Sequence, residues 1–71
     1  MIKQPQTQIP PVEKGDIIEL TPDRKGAKGD LIGIYNGFVI ILKGDASLNT
    51  KVQARITNVL NKYAFAEVLF N

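Results

Sequence analysis

Five apolar runs divide this chain, and turn residues separate them: Ile17 to Leu20, Leu31 to Tyr35, Phe38 to Leu42, Val52 to Val59 and Tyr63 to Phe70. Each has the length of a β-strand. Asn36-Gly37, between the second and third runs, is the strongest turn signal, because a type I′ turn needs positive φ at both central positions. In the fourth run Val52, Ala54 and Ile56 fall on one face and Gln53, Arg55 and Thr57 on the other, the pattern of a half-buried strand. The fifth sets Ala64, Ala66 and Val68 against Tyr63, Phe65 and Glu67. Asn61-Lys62 turns the fourth run into the fifth, and residues 43 to 51 are the one place for a short helical or 3₁₀ turn, which Ser47 could cap. A flat sheet this small would keep two open edges, so the expected fold is all-β: five antiparallel strands closed into a small barrel.

At 71 residues the chain is expected to form one domain, near the lower limit for folding without metal or disulfide. Residues 1–11 hold three prolines and three glutamines, a composition expected to stay a flexible tail, with the barrel in 12–71. Such a lead-in could equally be a linker from a longer enzyme. Cysteine is absent, which excludes disulfides and thiolate zinc sites and is usual in the reducing cytosol. No run approaches the roughly 20 apolar residues of a membrane span, and no signal-peptide core opens the chain. A cytoplasmic protein that does not engage membranes is expected.

Catalysis has little to stand on. Histidine is absent, so the commonest general base is missing and the single serine, Ser47, has no partner for a triad. Gly15-Asp16, Gly29-Asp30 and Gly44-Asp45 could be gathered into a metal site, but all three lie at strand ends. There glycine supplies positive φ and aspartate bonds nearby amides, so turn chemistry accounts for them. The loop around Lys25-Gly26-Ala27-Lys28-Gly29 lacks the spacing of a P-loop. No enzyme activity, cofactor or metal is expected.

Aromatic and basic residues carry more information. Nine basic residues against seven acidic leave a net charge of +2, a weak sign of a polyanionic partner. Placement strengthens it: Arg24, Lys25 and Lys28 share one loop, and Lys43, Lys51, Arg55 and Lys62 flank apolar strands. Tyr35 and Phe38 bracket the Asn36-Gly37 turn, and Tyr63 and Phe65 alternate along the last strand. Any one ring could complete a core. For Phe65 that reading is weaker, because the opposite parity already holds the small apolar set. Phe38 is ambiguous: Val39 and Ile41 can face inward and leave it outside, and the reverse also packs. An exposed ring could stack on an unpaired base while lysines and Arg55 take phosphates.

The ordered set of Val12, Gly15-Asp16, Gly29-Asp30, Gly37-Phe38-Val39-Ile40, Arg55-Ile56-Thr57 and Tyr63-Ala64-Phe65-Ala66-Glu67-Val68 resembles the TRAM domain. That small barrel is appended to tRNA-modifying enzymes and also occurs as stand-alone archaeal proteins. The resemblance implies an OB-like barrel that binds RNA, the stand-alone forms resembling cold-shock proteins in acting as RNA chaperones. Phe38, Phe65 and Arg55 match family positions most directly. Ile34 departs from the pattern, standing where archaeal members often carry a basic residue, and the loop from Gly44 to Lys51 lacks the usual proline and second glycine.

The expected function is therefore binding of single-stranded or tRNA-like RNA by a monomer with little sequence preference. Tyr35, Phe38, Tyr63 and Phe65 are the candidates for bases; Lys25, Lys28, Lys43, Lys51, Arg55 and Lys62 are those for phosphates. Two rival readings remain: a protein-interaction module on the same barrel, using a strand edge or an apolar side, and the RNA-binding accessory domain of a larger enzyme.

Overall fold

Leu20 and Gly33 touch across the interior of a strongly curled sheet, and the topology explains how they meet. The computed structural model describes residues 10–70, so the expected tail lies outside the described residues through position 9. The strands are β1 (Ile17–Leu20), β2 (Arg24–Lys25), β3 (Leu31–Tyr35), β4 (Phe38–Lys43), β5 (Val52–Val59) and β6 (Tyr63–Phe70). They form one sheet in the order β1-β5-β6-β4-β3-β2. The all-β architecture and the five expected strands are present, with a two-residue sixth, β2, where Arg24 and Lys25 pair with Ile32 and Leu31. One pairing differs from the antiparallel expectation: β4 and β6 run parallel, Val39 opposite Tyr63 and Ile41 opposite Phe65. The parallel pair arises because β5 and its return place β6 beside β4 instead of beside an edge.

Asn36 and Gly37 take φ of 50° and 82°, and Tyr35 pairs directly with Phe38, as a two-residue type I′ hairpin requires. The segment from Gly44 to Lys51 contains turns and no helix; its Ser47 carbonyl accepts the Thr50 amide at 3.3 Å. Asn49 reaches φ of 63° there, and its amide donates to the Pro22 carbonyl at 2.8 Å, which fastens this loop to the link between β1 and β2. Backbone bonds to a neighbouring segment hold the loop without a helix.

The core is the concave side of the sheet. Ile40, Leu42, Val52 and Ile56 are fully buried, joined by Val12, Ile18, Leu20, Leu31 and Phe38. On β6 the inward residues Ala64 and Ala66 lie opposite Ile40 and Leu42 on β4, and Ala66 also lies opposite Ile56 on β5. Small side chains on the central strand leave volume for large ones from both neighbours, which permits tight curvature at interior packing density. The curl brings β1 back against β3. A methyl group at Gly33 would stand 2.8 Å from Leu20 Cδ1 and 3.4 Å from the Pro22 Cα, so only glycine admits this approach without displacement. The Asp23 amide donates to the Ile32 carbonyl at 3.0 Å beside the contact. That bond continues the β2–β3 pairing, and β1 meets β3 by side-chain packing without strand pairing between them.

Candidate nucleic-acid interface

Residues paired across neighbouring strands share a face, so the registers define two rows on the convex side. One runs Ile32, Ile41, Phe65; the other runs Ile34, Val39, Tyr63. Six apolar side chains therefore lie side by side on the outside of the sheet, with Ile34 45% and Tyr63 38% exposed and the other four half-buried. Tyr63 and Phe65 meet edge to face, their ring centroids 5.5 Å apart at 78°. The Thr57 hydroxyl donates to the Phe65 carbonyl at 3.3 Å, next to the irregularity in β5 between Ile56 and Asn58. This bond anchors the backbone that presents the ring.

Over Phe65 opens a cleft of about 570 Å³, walled by Val39, Ile41, Tyr63 and Phe65 and rimmed by Lys28, Asp30, Lys43 and Lys62. Its size falls in the range of roughly 300–1,000 Å³ typical of sites for small organic groups. The Lys43 ammonium stands 5.6 Å from the Phe65 centroid and 3.8 Å from the Asp30 carboxylate. Three cations around an apolar floor with a ring in it make a surface suited to a flat anionic polymer.

Of the ten residues singled out from the sequence, five gather at this cleft: Lys28, Lys43, Lys62, Tyr63 and Phe65. Arg55 lies on the same convex side, one strand over, where its guanidinium pairs with Glu67 at 3.6 Å. Lys25 lines a second hollow, of about 540 Å³, with Leu31, Asp45, Ser47 and Leu48. Lys51 is exposed just before β5, outside both. Phe38 and Tyr35 lie away from the cleft, on the concave side of the sheet. Phe38 is 8% exposed in the core with Ile40 and Leu42, and Tyr35, its cross-strand partner, packs half-buried against the same cluster. The cause is the parity of β4: once Ile40 and Leu42 face in, Phe38 must follow, and the hairpin carries Tyr35 with it.

Sequence reasoning passed over the apolar floor. Ile32, Ile34, Val39 and Ile41 come from two runs that are apolar on both parities, the pattern of strands covered on both faces. No segment between these runs reads as a helix that could supply the outer cover, and that mismatch was the available signal. Asp30 was passed over too, being read as a turn residue. Among the described residues no group of three His, Cys, Asp or Glu side chains is placed to hold a metal ion, and no helix is long and apolar enough to cross a membrane.

Comparison with known proteins agrees with this architecture. The chain is 36% identical over 58 residues to a ribosomal RNA large subunit methyltransferase E of Methanocella arvoryzae, covering 82% of this chain and 22% of that protein. It is 40% identical over 57 residues to the protein of the same name from Haloarcula marismortui, covering 80% of this chain and 21% of that one. The chain thus spans under a quarter of the length of these relatives. The solution structure of a conserved protein from Methanococcus maripaludis superposes with a TM-score of 0.80 at 31% identity, covering 99% of each chain. The TRAM domain family model matches residues 11–69, and the chain belongs to the TRAM domain family.

Proposed function

We propose that this protein is a non-catalytic RNA-binding protein that holds unpaired RNA with little sequence preference, in the manner of an RNA chaperone. One observation carries the reading: an apolar outer wall containing the Tyr63 and Phe65 rings, edged by Lys28, Lys43 and Lys62. Unpaired bases stack on such rings regardless of sequence, and lysines around them neutralise the adjoining phosphates. A chaperone must also release its RNA. Two rings and three cations give an interaction strong enough to compete with misfolded pairing and weak enough to reverse. The cytoplasm is the compartment that fits this role. TRAM domains bind RNA, and the relatives named above act on ribosomal RNA by their names, which supports RNA as the ligand class.

A second reading has its own support. The match accounts for 22% of the Methanocella relative, so the same surface could serve as the RNA-holding part of a larger assembly. Both readings require the same contacts with RNA. A protein-docking role for the wall does not, and salt separates it. Titration of labelled single-stranded RNA should give a plot of log affinity against log salt with a slope of about −2, for three phosphates neutralised on a single strand. Failure to bind at low salt would remove the RNA reading. Binding that ignores salt would remove the phosphate contacts.

A further inference from the structure

The carboxylates of Gly15-Asp16 and Gly29-Asp30 do different things. Asp16 Oδ2 accepts the Glu13 amide at 2.8 Å, a turn role. Asp30 serves its turn through the backbone instead, its carbonyl accepting the Gly26 amide at 2.7 Å. Its side chain is one-third exposed, and its partner among the described residues is the Lys43 ammonium, 3.8 Å from Oδ2. Turn chemistry therefore leaves this carboxylate unexplained. Among the described residues it is the one acid lining the cleft over Phe65, beside three lysines.

A carboxylate only accepts hydrogen bonds, and it repels phosphate, so in a cleft that takes RNA it favours groups that donate: a ribose 2′-hydroxyl, which every nucleotide has, or a base edge with N–H donors, which alone can make the preference depend on the base. Guanine sets two such donors side by side, N1–H and the 2-amino group, with the O6 acceptor next to them. A carboxylate can take that pair with both oxygens, in a charge-assisted bidentate arrangement. Lys43, already beside the carboxylate, supplies the donor that O6 needs. Uracil offers one donor between two acceptors, and adenine and cytosine offer an amino group without an imino donor.

We propose that the cleft holds an unpaired guanine, stacked on Phe65 with its Watson–Crick edge against Asp30 and Lys43. RNA binding that is otherwise tolerant of sequence then carries a guanine preference at one nucleotide. This rests on the RNA-binding reading above, and the test separates the two. The full chain is titrated with labelled uridine oligomers bearing one central guanosine, inosine, adenosine or cytidine, beside an all-uridine strand. Guanosine should bind about tenfold tighter than all-uridine, the scale of one good bidentate contact. Inosine, which lacks only the 2-amino group, should fall between, with adenosine and cytidine near all-uridine. Asp30→Asn should abolish the preference while raising affinity for all-uridine RNA, since a negative charge leaves the cleft. Equal affinity of the unaltered protein for all strands would overturn the guanine site while leaving RNA binding intact. A uniform loss across all strands in Asp30→Asn would assign Asp30 a purely structural role and overturn it as well. Failure to bind any strand would overturn the RNA reading and the guanine site together.

Discussion

Lys43 and Phe65 lie on adjacent parallel strands, and the Lys43 ammonium rests 5.6 Å from the centre of the Phe65 ring. The cation thus stands near the place a stacked base would take. An exposed cation–π contact is worth about 0.5–1 kcal/mol, less than the roughly 1–3 kcal/mol of a base on an aromatic ring. A base can therefore displace the ammonium from the ring face, freeing it to meet a phosphate, or O6 where the base is guanine. Lys43 both competes with the base and helps hold its backbone, and salt should separate these effects.

Lys43→Ala is expected to weaken binding of all-uridine RNA at low salt and to flatten the salt slope by about 0.7, one phosphate on a single strand. At high salt, where the phosphate term fades, the cleared ring should bring the variant level with the unaltered protein or above it. Affinity titrations across a salt series would show the two lines crossing. Parallel lines would mean that Lys43 makes no phosphate contact.

Phe65→Ala and Tyr63→Ala should each lower RNA affinity by about 1–3 kcal/mol, with little change in fold because both rings lie on the convex side. Their edge-to-face contact at 5.5 Å means the losses will not add. The double variant should lose less than the sum, as a double-mutant cycle of dissociation constants would report.

Apolar runs of strand length, cut cleanly by turn residues, were enough to locate β1, β3, β4, β5 and β6. They did not locate β2. Arg24 and Lys25 have no apolar pattern and are held as a strand by pairing with β3, a tertiary cause. For Tyr63 and Phe65 the outward assignment followed from the alanines opposite them, since small inward residues leave a definite parity. For β4 every residue from Phe38 to Leu42 is apolar, so pattern alone offered two equivalent faces. The choice came from outside the strand: inward Ile40 and Leu42 lie opposite Ala64 and Ala66, whose small side chains leave room for them.

Phe38 is consequently a stability residue. Phe38→Ala should cost about 3–5 kcal/mol, enough to endanger a domain of this size. Phe38→Leu is the informative variant. It should lower the urea midpoint and leave the affinity of the folded protein for RNA unchanged. A selective loss of RNA affinity in Phe38→Leu, with stability intact, would return this ring to the binding surface.

Arg55 is held 3.6 Å from Glu67, with both side chains half exposed. Such a surface pair contributes little to folding, about 0–1 kcal/mol. Glu67→Gln should therefore barely move the unfolding midpoint. It should raise RNA affinity and steepen the salt slope, because a free Arg55 extends the cationic rim along the convex side. Unchanged binding would confine the RNA to the cleft over Phe65.

Gly33 decides whether the sheet can curl far enough to close. Its Cα faces Leu20, and a methyl group there would sit 2.8 Å from Leu20 Cδ1 and 3.4 Å from both the Thr21 carbonyl and the Pro22 Cα. The two backbone neighbours are at ordinary contact distance, so the strain falls on the leucine end, which could move in an open setting but has little room at 6% exposure. Gly33→Ala should therefore destabilise the fold by about 1–3 kcal/mol, the usual cost of overpacking, instead of giving the gain that replacing a strand glycine otherwise brings. The β3–β4 hairpin does not depend on this contact, so the damage should appear first as faster amide exchange in β1 and β2, the strands at the two edges of the sheet. Exchange that rises equally in β4 and β6 would show that closure and core are one cooperative unit, and that Gly33 acts on the whole barrel at once.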